Sequence, residues 1–480
     1  MSELKQKAIK GVAWNAVNTY SSKGLQFVLG IILARLLTPS DYGLVGMTAI
    51  FFAISNTFID SGFGSALIQK KDRNEDDYST VFYINLVVSI FFFVLLFIIA
   101  PYVATYFDQP IIKDLMRVSS LTLVISALVS TSRNKLFVAV DFKTITKISL
   151  VSTAISSVVA LYCAFSGFGV WTLVIQTLVS SIVSALLLFY FVRWIPKKRF
   201  SKSSFRRLWS YGSNMLVASL INTIYENLYS FIIGKRFSAA DLGQYSKAGH
   251  YVTFVGTTTV NVLQAVAFPI LSEVQDDHQR LLFAYSRYIK MIAFVVFPLL
   301  MGLCGVAKPM VLFMITEKWL PCVIYLQVLC FASLWTGIIR INLNLLYVTG
   351  RSDLVLRLEF YKKTIAFAIL FISIFGGVLG MCIGRVVYSF FAFYMNTYYT
   401  KKLFNYGFIT QIKEIAPSFL LSASMMAIAL FISYSISTPV LSLLISIIVC
   451  PVFYIGFSYL FKISSLFELF EIIKSRRHNS

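Results

Sequence analysis

Two long stretches of the sequence, 148–192 and 415–461, contain no Asp, Glu, Lys or Arg. Each is long enough for two helices of roughly 20 residues, the length that crosses a hydrocarbon core about 30 Å thick. Each also has a turn signal near its middle, Gly-Phe-Gly at 167–169 and Ser-Thr-Pro at 437–439. Both stretches therefore predict a pair of transmembrane helices.

The rest of the chain continues this pattern. Of 480 residues, 58% are hydrophobic and only 13% are charged, against roughly a quarter in soluble domains. We therefore predict an all-α polytopic membrane protein with about fourteen transmembrane helices. The predicted spans are 11–36, 43–67, 79–101, 115–132, 148–166, 170–192, 208–234, 248–271, 289–307, 322–347, 364–378, 380–399, 416–434 and 440–461.

The net charge of +21 would indicate nucleic-acid binding in a soluble protein, but its distribution favours another explanation. Most of the 42 Lys and Arg lie in the N-terminus and in alternate loops, the richest being 193–207. Cationic loops remain in the cytoplasm. We therefore predict no nucleic-acid partner, two cytoplasmic termini and contact with membrane lipid. Residues after 461 are expected to form an amphipathic helix at the membrane surface.

An internal repeat indicates how the helices are organised. ILARLLTPSDYG at 32–43 aligns without gaps with IIGKRFSAADLG at 232–243. In both copies a hydroxyl residue, then Asp and Gly, follow a cationic helix end, which is typical of a turn and an N-cap. A weaker match pairs 165–169 with 375–379.

The repeats predict two six-helix bundles, 1–200 and 201–402, followed by a terminal helix pair with an amphipathic tail at 403–480. Their equal helix count predicts a pseudo-twofold axis along the membrane normal. Halves of this kind form a central cavity that opens to one side of the membrane and then to the other.

Conventional catalytic motifs are absent from the sequence: it contains no P-loop, no GxGxxG after a strand and no HExxH. The loops predicted outside the cell are short, which leaves no room for the catalytic loop of a membrane glycosyltransferase or polymerase. We therefore expect a protein that is not an enzyme and that has no cofactor and no metal site.

Arg35, Arg117 and Lys290 lie at span ends and are assigned to the adjoining loops. Five other charged residues fall inside predicted spans: Lys23, Asp60, Glu226, Arg340 and Arg385. Each costs roughly 2.5 to 3.5 kcal/mol on insertion scales, so intramembrane charges are candidates for function. Most lie on polar stripes at helical spacing. The stripes are Asn15, Thr19, Ser22 and Gln26; Asn56 and Asp60; Ser219, Asn222, Glu226 and Ser230; Thr257, Asn261 and Gln264; and Thr336, Arg340, Asn344 and Tyr347.

These stripes indicate a polar cavity. The predicted substrate-binding residues are Lys23, Arg340, Asn222, Asn344, Gln26, Asn261 and Gln264. Asp60 and Glu226 are candidates for coupling to an ion, and Asp60 could equally be a partner for Lys23. Arg385 remains open between function and a structural pair. Interhelical hydrogen bonds that hold the bundle together are the alternative for the Asn and Ser positions.

Several motifs resemble one known family. They are ARLLTPSDYGLVGM at 34–47, SGFGSALIQKKD at 61–72, YSTVFYINL at 78–86, GFGVWTLVIQ at 167–176 and FPILSEVQDD at 268–277. In this order they are similar to the polysaccharide exporter and O-antigen flippase family of the multidrug/oligosaccharidyl-lipid/polysaccharide transporter superfamily. The likeness extends from about residue 5 to residue 400.

The resemblance implies a function. The expected substrate is an oligosaccharide repeat unit on undecaprenyl diphosphate, flipped across the bacterial cytoplasmic membrane for lipopolysaccharide, capsule or exopolysaccharide synthesis. It also implies alternating access, H⁺ or Na⁺ as a possible coupling ion and polysaccharide polymerase machinery as a possible partner. Two alternatives stay open: a drug or organic-cation antiporter of the same superfamily, and a polytopic glycosyltransferase or polymerase.

Overall fold

The computed structural model describes residues 21–60, 63–70 and 72–468, and within these ranges every regular element is a helix. The α-helices are α1 (described over 21–36), α2 (Pro39–Asp60), α3 (Phe63–Gln69), α4 (Glu75–Tyr106), α5 (Ile111–Val138), α6 (Phe142–Phe165), α7 (Trp171–Val192), α8 (Lys202–Arg236), α9 (Ala239–Val252), α10 (Thr258–Glu273), α11 (His278–Gly305), α12 (Ala307–Ile315), α13 (Cys322–Leu334), α14 (Thr336–Val348), α15 (Ser352–Ser373), α16 (Gly377–Phe404), α17 (Phe408–Ser435) and α18 (Pro439–Leu460). The predicted all-α fold is confirmed.

Eleven helical segments of the described part are long and apolar enough to cross a membrane. The protein is thus a multi-pass α-helical membrane protein, while the count of fourteen spans stays a prediction. One segment, Asp353–Phe404, contains two predicted spans. A 3₁₀ turn at Ile374–Gly376, followed by a φ of 71° at Gly377, separates α15 from α16 inside it.

Both copies of the internal repeat form the same helix start. Thr38 directly precedes α2, and Asp41 lies in its first turn. The Thr38 hydroxyl donates to Asp41 Oδ2 at 2.7 Å, and the Asp41 N–H donates to Thr38 Oγ1 at 3.3 Å. Ser238 and Asp241 make the same pair at the start of α9, at 2.7 and 3.0 Å. The predicted N-cap chemistry is confirmed in both copies.

A π-helix, Thr253–Thr257, joins α9 to α10 and interrupts the span predicted at 248–271. Gly256 within it is buried, and a Cβ there would lie 3.1 Å from the side chain of Leu300 on α11. Such wider turns are rare and are frequently found at functional sites. This one directly precedes the helix that carries Asn261, a predicted cavity residue.

The chain divides into two compact units, Met1–Gly243 and Gln244–Ser480, called here the N-terminal and C-terminal units. In the N-terminal unit α4 packs against α5, α6 against α7, and α2 against α8. The hydroxyls of Thr57 on α2 and Thr223 on α8 lie 2.9 Å apart. The bundle boundaries at residues 200 and 402 stay predictions.

A buried polar network ties three helices of the C-terminal unit together. The Tyr285 hydroxyl on α11 donates to Asn342 Oδ1 on α14 at 2.7 Å, and Gln411 Nε2 on α17 donates to the Tyr285 hydroxyl at 3.0 Å. Asn342 Nδ2 donates back to Gln411 Oε1 at 3.1 Å. A network in which these groups satisfy one another fixes α17, the first helix of the predicted terminal pair, against α11.

The predicted amphipathic tail lies mostly outside the described residues. A helical turn at 464–468 is described. Leu466 in this turn is buried in an apolar cluster with Phe294 of α11 and Tyr454 of α18. Glu468 accepts from Nε of Arg287 on α11 at 2.9 Å. The start of the tail therefore packs against the C-terminal unit.

Candidate functional site

A polar cavity of about 660 Å³ lies within the N-terminal unit. Its described lining residues are Gln26, Asn56, Gly64, Asn85, Ser126, Val129, Ser130, Arg133, Asn134, Phe137, Ile145, Ile148, Ser149, Ser152, Thr153, Ser180, Ser181, Ser184 and Leu188. They come from α1 to α7. Hydroxyls and side-chain amides dominate this wall although the surrounding helices are apolar, which is unusual for a bundle core.

Two of the predicted polar stripes reach this cavity. Gln26 of α1 and Asn56 of α2 are both exposed and line it. On the neighbouring turn of α1, Ser22 is buried, with its hydroxyl 3.1 Å from that of Ser149 on α6, another lining residue. The first stripe thus divides into a part that joins α1 to α6 and a part that faces the cavity.

Helices α4 and α5 form the most polar part of the wall. Asn85 of α4 is 1% exposed, and its Nδ2 donates to Ser130 Oγ of α5 at 2.9 Å. One turn further along α5 is Arg133, whose side chain is exposed. Asn134 follows it, and its Nδ2 lies 3.1 Å from the position that a Cβ on Gly64 would take. Glycine at this position therefore leaves room for the Asn134 amide.

An ionic cluster holds the end of α5 in place. Lys135 Nζ donates to Glu75 Oε1 at 2.7 Å, and the second Glu75 oxygen accepts from Trp194 Nε1 at 3.0 Å. Lys135 Nζ also lies 4.6 Å from the centre of the Tyr78 ring, within cation–π range. Because Lys135 is two residues after Arg133, these contacts extend α5 past the apolar run and position Arg133 on the cavity wall.

A second carboxylate supports the same region from α4. The Asp77 side chain is fully buried; it pairs with Lys70 and lies 3.7 Å from an Arg207 nitrogen. Asp77 also completes a capping box with Asn74 at the start of α4. These contacts connect the chain before α4 to the start of α8.

In the C-terminal unit the predicted cavity residues meet in pairs between α10 and α14. Arg340 Nη1 donates to Asn261 Oδ1, and Asn344 Nδ2 donates to Gln264 Oε1 at 2.6 Å. Arg340 is half-buried and Asn261 is exposed. The two predicted stripes therefore contact each other through these four residues. Whether they bind substrate stays a prediction.

Three other predicted residues of the N-terminal unit, Lys23, Asn222 and Glu226, are not among the described residues that line the cavity. Lys23 is half-buried on α1, whereas Asn222 and Glu226 are exposed one turn apart on α8. Within the described part of the chain Glu226 has neither a hydrogen bond nor an ion pair. Asp60 ends α2, but its side chain, like Asn15 and Thr19, lies outside the described residues.

Arg385, left open by the sequence, has a clear structural contact. Its Nη1 donates to the hydroxyl of Tyr245 at 2.7 Å. Tyr245 is 4% exposed on α9, and Arg385 is half-buried on α16. The pair therefore links two helices of the C-terminal unit.

Sequence reasoning missed the residues that dominate the cavity wall, Arg133, Asn134 and Asn85 among them. The predicted span 115–132 ends just before Arg133, which puts this residue in a loop, but α5 continues to Val138. Asn85 falls within an apolar predicted span and was detectable as a polar residue at membrane depth. The serines at 180, 181 and 184 recur at helical spacing, which is a second available signal.

Curated relatives cover most of the chain. It is 25% identical over 450 residues to the teichuronic acid biosynthesis protein TuaB of Bacillus subtilis (strain 168), covering 91% of each chain. It is 26% identical over 390 residues to the lipopolysaccharide biosynthesis protein WzxC of Escherichia coli (strain K12), covering 79% of this chain and 78% of WzxC.

Solved structures share the fold. The lipid II flippase MurJ in an inward closed conformation matches with a TM-score of 0.72 at 15% identity, over 93% of this chain and 99% of MurJ. A multidrug resistance transporter of the MATE family, in its inward-facing conformation, matches with a TM-score of 0.61 at 16% identity, over 85% and 98% of the two chains.

The helices and these matches define a multi-pass membrane protein with the helical fold of MurJ and of the MATE transporter. The family model described as polysaccharide biosynthesis protein matches residues 32–324. The chain belongs to this polysaccharide biosynthesis family.

Proposed function

We propose that this protein is a flippase that moves lipid-linked oligosaccharide across the bacterial cytoplasmic membrane for the synthesis of a surface polysaccharide. The observation that carries the proposal is the polar cavity of about 660 Å³ among membrane-spanning helices of a polysaccharide biosynthesis protein. Sugars need such a wall, because their hydroxyls lose water on entering a bilayer and must find other hydrogen-bond partners. TuaB and WzxC, named for polysaccharide biosynthesis, support this assignment.

The charge of the cavity favours a flippase over an organic-cation antiporter. Among the described lining residues the charged side chain is Arg133, and no carboxylate accompanies it. A cationic drug would be repelled by this wall, whereas a substrate with negative charge would be attracted. A transferase or polymerase would in addition need catalytic groups, and the sequence carries no conventional catalytic motif. The protein is therefore proposed as a transporter and not as an enzyme.

Lys23 and Arg340 are the residues proposed to bind the diphosphate of an undecaprenyl-linked substrate. Gln26, Asn222, Asn261, Gln264 and Asn344 are proposed as further substrate-binding residues, each within its own unit. A guanidinium has five N–H donors, and Arg340 donates one of them to Asn261 Oδ1. The remaining donors suit phosphate oxygens. Alternating access would carry the substrate from the cytoplasmic to the outer leaflet, with both termini in the cytoplasm.

Coupling to H⁺ or Na⁺ would use Asp60 and Glu226. Glu226 supports this role because it is exposed and has no ion pair within the described chain. We expect surface glycan output in the wild-type strain to fall when the proton or sodium gradient is collapsed. In Glu226→Gln we expect glycan output to be insensitive to this collapse. Output in the wild-type strain that ignores the loss of both gradients would contradict coupling.

The function is tested by deleting the gene and following the lipid-linked repeat unit. We expect loss of one surface glycan and accumulation of its lipid-linked unit on the cytoplasmic side. Wild-type protein and Lys308→Ala, which changes an exposed cation on α12, should restore the glycan. Lys23→Ala and Arg340→Ala should not, although both proteins reach the membrane. Normal glycan in the deletion strain contradicts the function, and normal glycan in both variants contradicts the diphosphate site.

A further inference from the structure

The guanidinium of Arg133 lies on the cavity wall, and none of the described residues provides a counterion for it. Its side chain is exposed and lines the cavity, and within the described part of the chain it has no hydrogen bond and no ion pair. Lys135, on the same helix end, is held by Glu75 at 2.7 Å. One cation of this pair is thus fixed by the protein, and the other is presented to the cavity.

A second observation points to a ligand at the same wall. Asn85 is 1% exposed, and its Nδ2 donates to Ser130, but its Oδ1 accepts no hydrogen bond within the described structure. Buried side-chain oxygens of this kind are nearly always hydrogen-bonded. Asn85 is one of the lining residues, so this unpaired amide oxygen belongs to the wall that a bound molecule would contact.

The rest of the wall has the chemistry of a sugar site. Side-chain amides of Gln26, Asn56 and Asn134 and a series of serine hydroxyls surround Arg133. Amides and hydroxyls both donate and accept, as sugar hydroxyls do. The Ser152 and Ser181 hydroxyls donate within their own helices, at 2.8 and 3.0 Å, which leaves their lone pairs for a ligand. The volume, about 660 Å³, is in the usual range for ligand sites.

We propose that this cavity binds the sugar part of the substrate, and that Arg133 selects a sugar that carries a carboxylate. The inference rests on the proposed function and adds the class of sugar to it. A planar guanidinium matches a carboxylate with two parallel N–H donors. One positive charge balances one carboxylate, whereas a diphosphate carries more negative charge than this wall can neutralise. Asn85 and Asn134 then bind the hydroxyls of the same sugar or of its neighbour.

The inference is tested by binding of small sugars to the purified full-length protein in lipid nanodiscs. The probes are the methyl glycosides of glucuronic and galacturonic acid, each matched with the methyl glycoside of glucose or galactose. Saturation-transfer NMR gives relative affinities. The wild-type protein should bind at least one uronic acid glycoside about tenfold more tightly than its neutral match, since one charge-assisted pair contributes more than a neutral hydrogen bond.

Variants separate the two roles. Arg133→Gln should remove the preference for the acidic glycoside and leave the neutral one unchanged, with partial recovery in Arg133→Lys. Ser184→Val, which replaces a hydroxyl of the wall with methyl groups, should weaken the binding of acidic and neutral glycosides equally. Arg117→Gln is the matched control, because Arg117 is on the same helix but lies 4.3 Å from the Phe97 ring and is not among the described lining residues. It should bind as the wild type does.

A diphosphate probe without sugar distinguishes the alternatives. Farnesyl diphosphate should bind Arg133→Gln as tightly as it binds the wild-type protein. If Arg133→Gln weakens the binding of farnesyl diphosphate as much as the binding of the uronic acid glycoside, the cavity binds phosphate and the inference is overturned. No preference for either acidic glycoside in the wild-type protein would also overturn it. If the preference is present but the gene deletion leaves surface glycan normal, the cavity site stands and the flippase function fails.

Discussion

Gly43 of α2 lies against the carbonyl group of Ala239, so closely that a Cβ on Gly43 would stand 1.7 Å from the Ala239 oxygen. The reverse contact is also present: a Cβ on Gly243 would stand 1.9 Å from the carbonyl oxygen of Pro39. The two copies of the internal repeat therefore contact each other reciprocally, with the glycine of each copy against the first helical turn of the other. Only a residue without a side chain allows backbones to approach this closely.

The first prediction concerns this contact. Gly43→Ala should destabilise the protein by about 1 to 3 kcal/mol or more, because the atom in the way is backbone and cannot rotate aside. The measurement is the melting temperature of the purified protein. Gly24→Ala on α1 is the control, since a Cβ there meets nothing within 4 Å. Equal melting temperatures for the two variants would contradict the predicted role of Gly43.

The reciprocal geometry makes a second prediction. Gly243→Ala should destabilise the protein to a similar extent, and the double variant with Gly43→Ala should lose less than the sum of the two. Once the starts of α2 and α9 have separated to admit one methyl group, the second methyl group costs less free energy. Such non-additivity is expected for neighbouring residues in contact. Strict additivity of the two changes, measured in the same melting experiment, would mean that the two contacts are independent.

A third prediction concerns Asp77, the buried carboxylate in the first turn of α4. Asp77→Asn removes the charge that pairs with Lys70, whose side chain is 24% exposed, so the cost should be about 1 to 3 kcal/mol. The Asp77 side chain is 0% exposed, whereas Asp353, paired with Arg351, is 54% exposed. Asp353→Asn is therefore the control and should change the melting temperature little. Equal effects of the two substitutions would show that the Asp77 pair is not buried in the membrane-embedded protein.

The fourth prediction separates structure from transport at Arg385. Tyr245→Phe removes the hydroxyl that accepts from Arg385 at 2.7 Å, and the loss of a hydrogen bond to a charged group costs about 1.5 to 3 kcal/mol. The melting temperature should fall while glycan output per folded molecule stays unchanged. Tyr434→Phe is the matched control, because Tyr434 is 80% exposed and keeps its ring beside Lys308. Reduced output at normal stability would instead place Arg385 in the transport path.

The sequence predicted the fold well where one physical rule dominates. Uncharged stretches predict membrane helices because any charge is costly there, and the repeat at 32–43 and 232–243 predicted the helix starts at Pro39 and Ala239. The site was harder. Periodicity placed Gln26, Asn261 and Arg340 on polar stripes, and of these Gln26 lines the described cavity. Periodicity does not show which stripes face the same cavity.

Arg133 shows why the rest could not be predicted. By hydropathy the helix ends near 132, which makes Arg133 a loop residue. In the structure the contacts of Lys135 with Glu75 and Tyr78 continue α5 to Val138. These partners come from a helix some 60 residues earlier in the chain, so no local pattern reveals them. Long-range contacts of this kind decide where a helix ends and which side chains reach a cavity.

The central claim is transport of a lipid-linked sugar, and reconstitution tests it most directly. Purified protein is placed in liposomes with a fluorescently labelled undecaprenyl diphosphate oligosaccharide in both leaflets, and a membrane-impermeant reductant quenches the outer pool. With active protein, quenching should proceed beyond the outer half towards completion, and Arg340→Ala should slow it. The decisive control uses the wild-type protein, a probe that carries the native repeat unit and an imposed ion gradient. Quenching that stops at half under these conditions would contradict transport of a lipid-linked sugar by this protein.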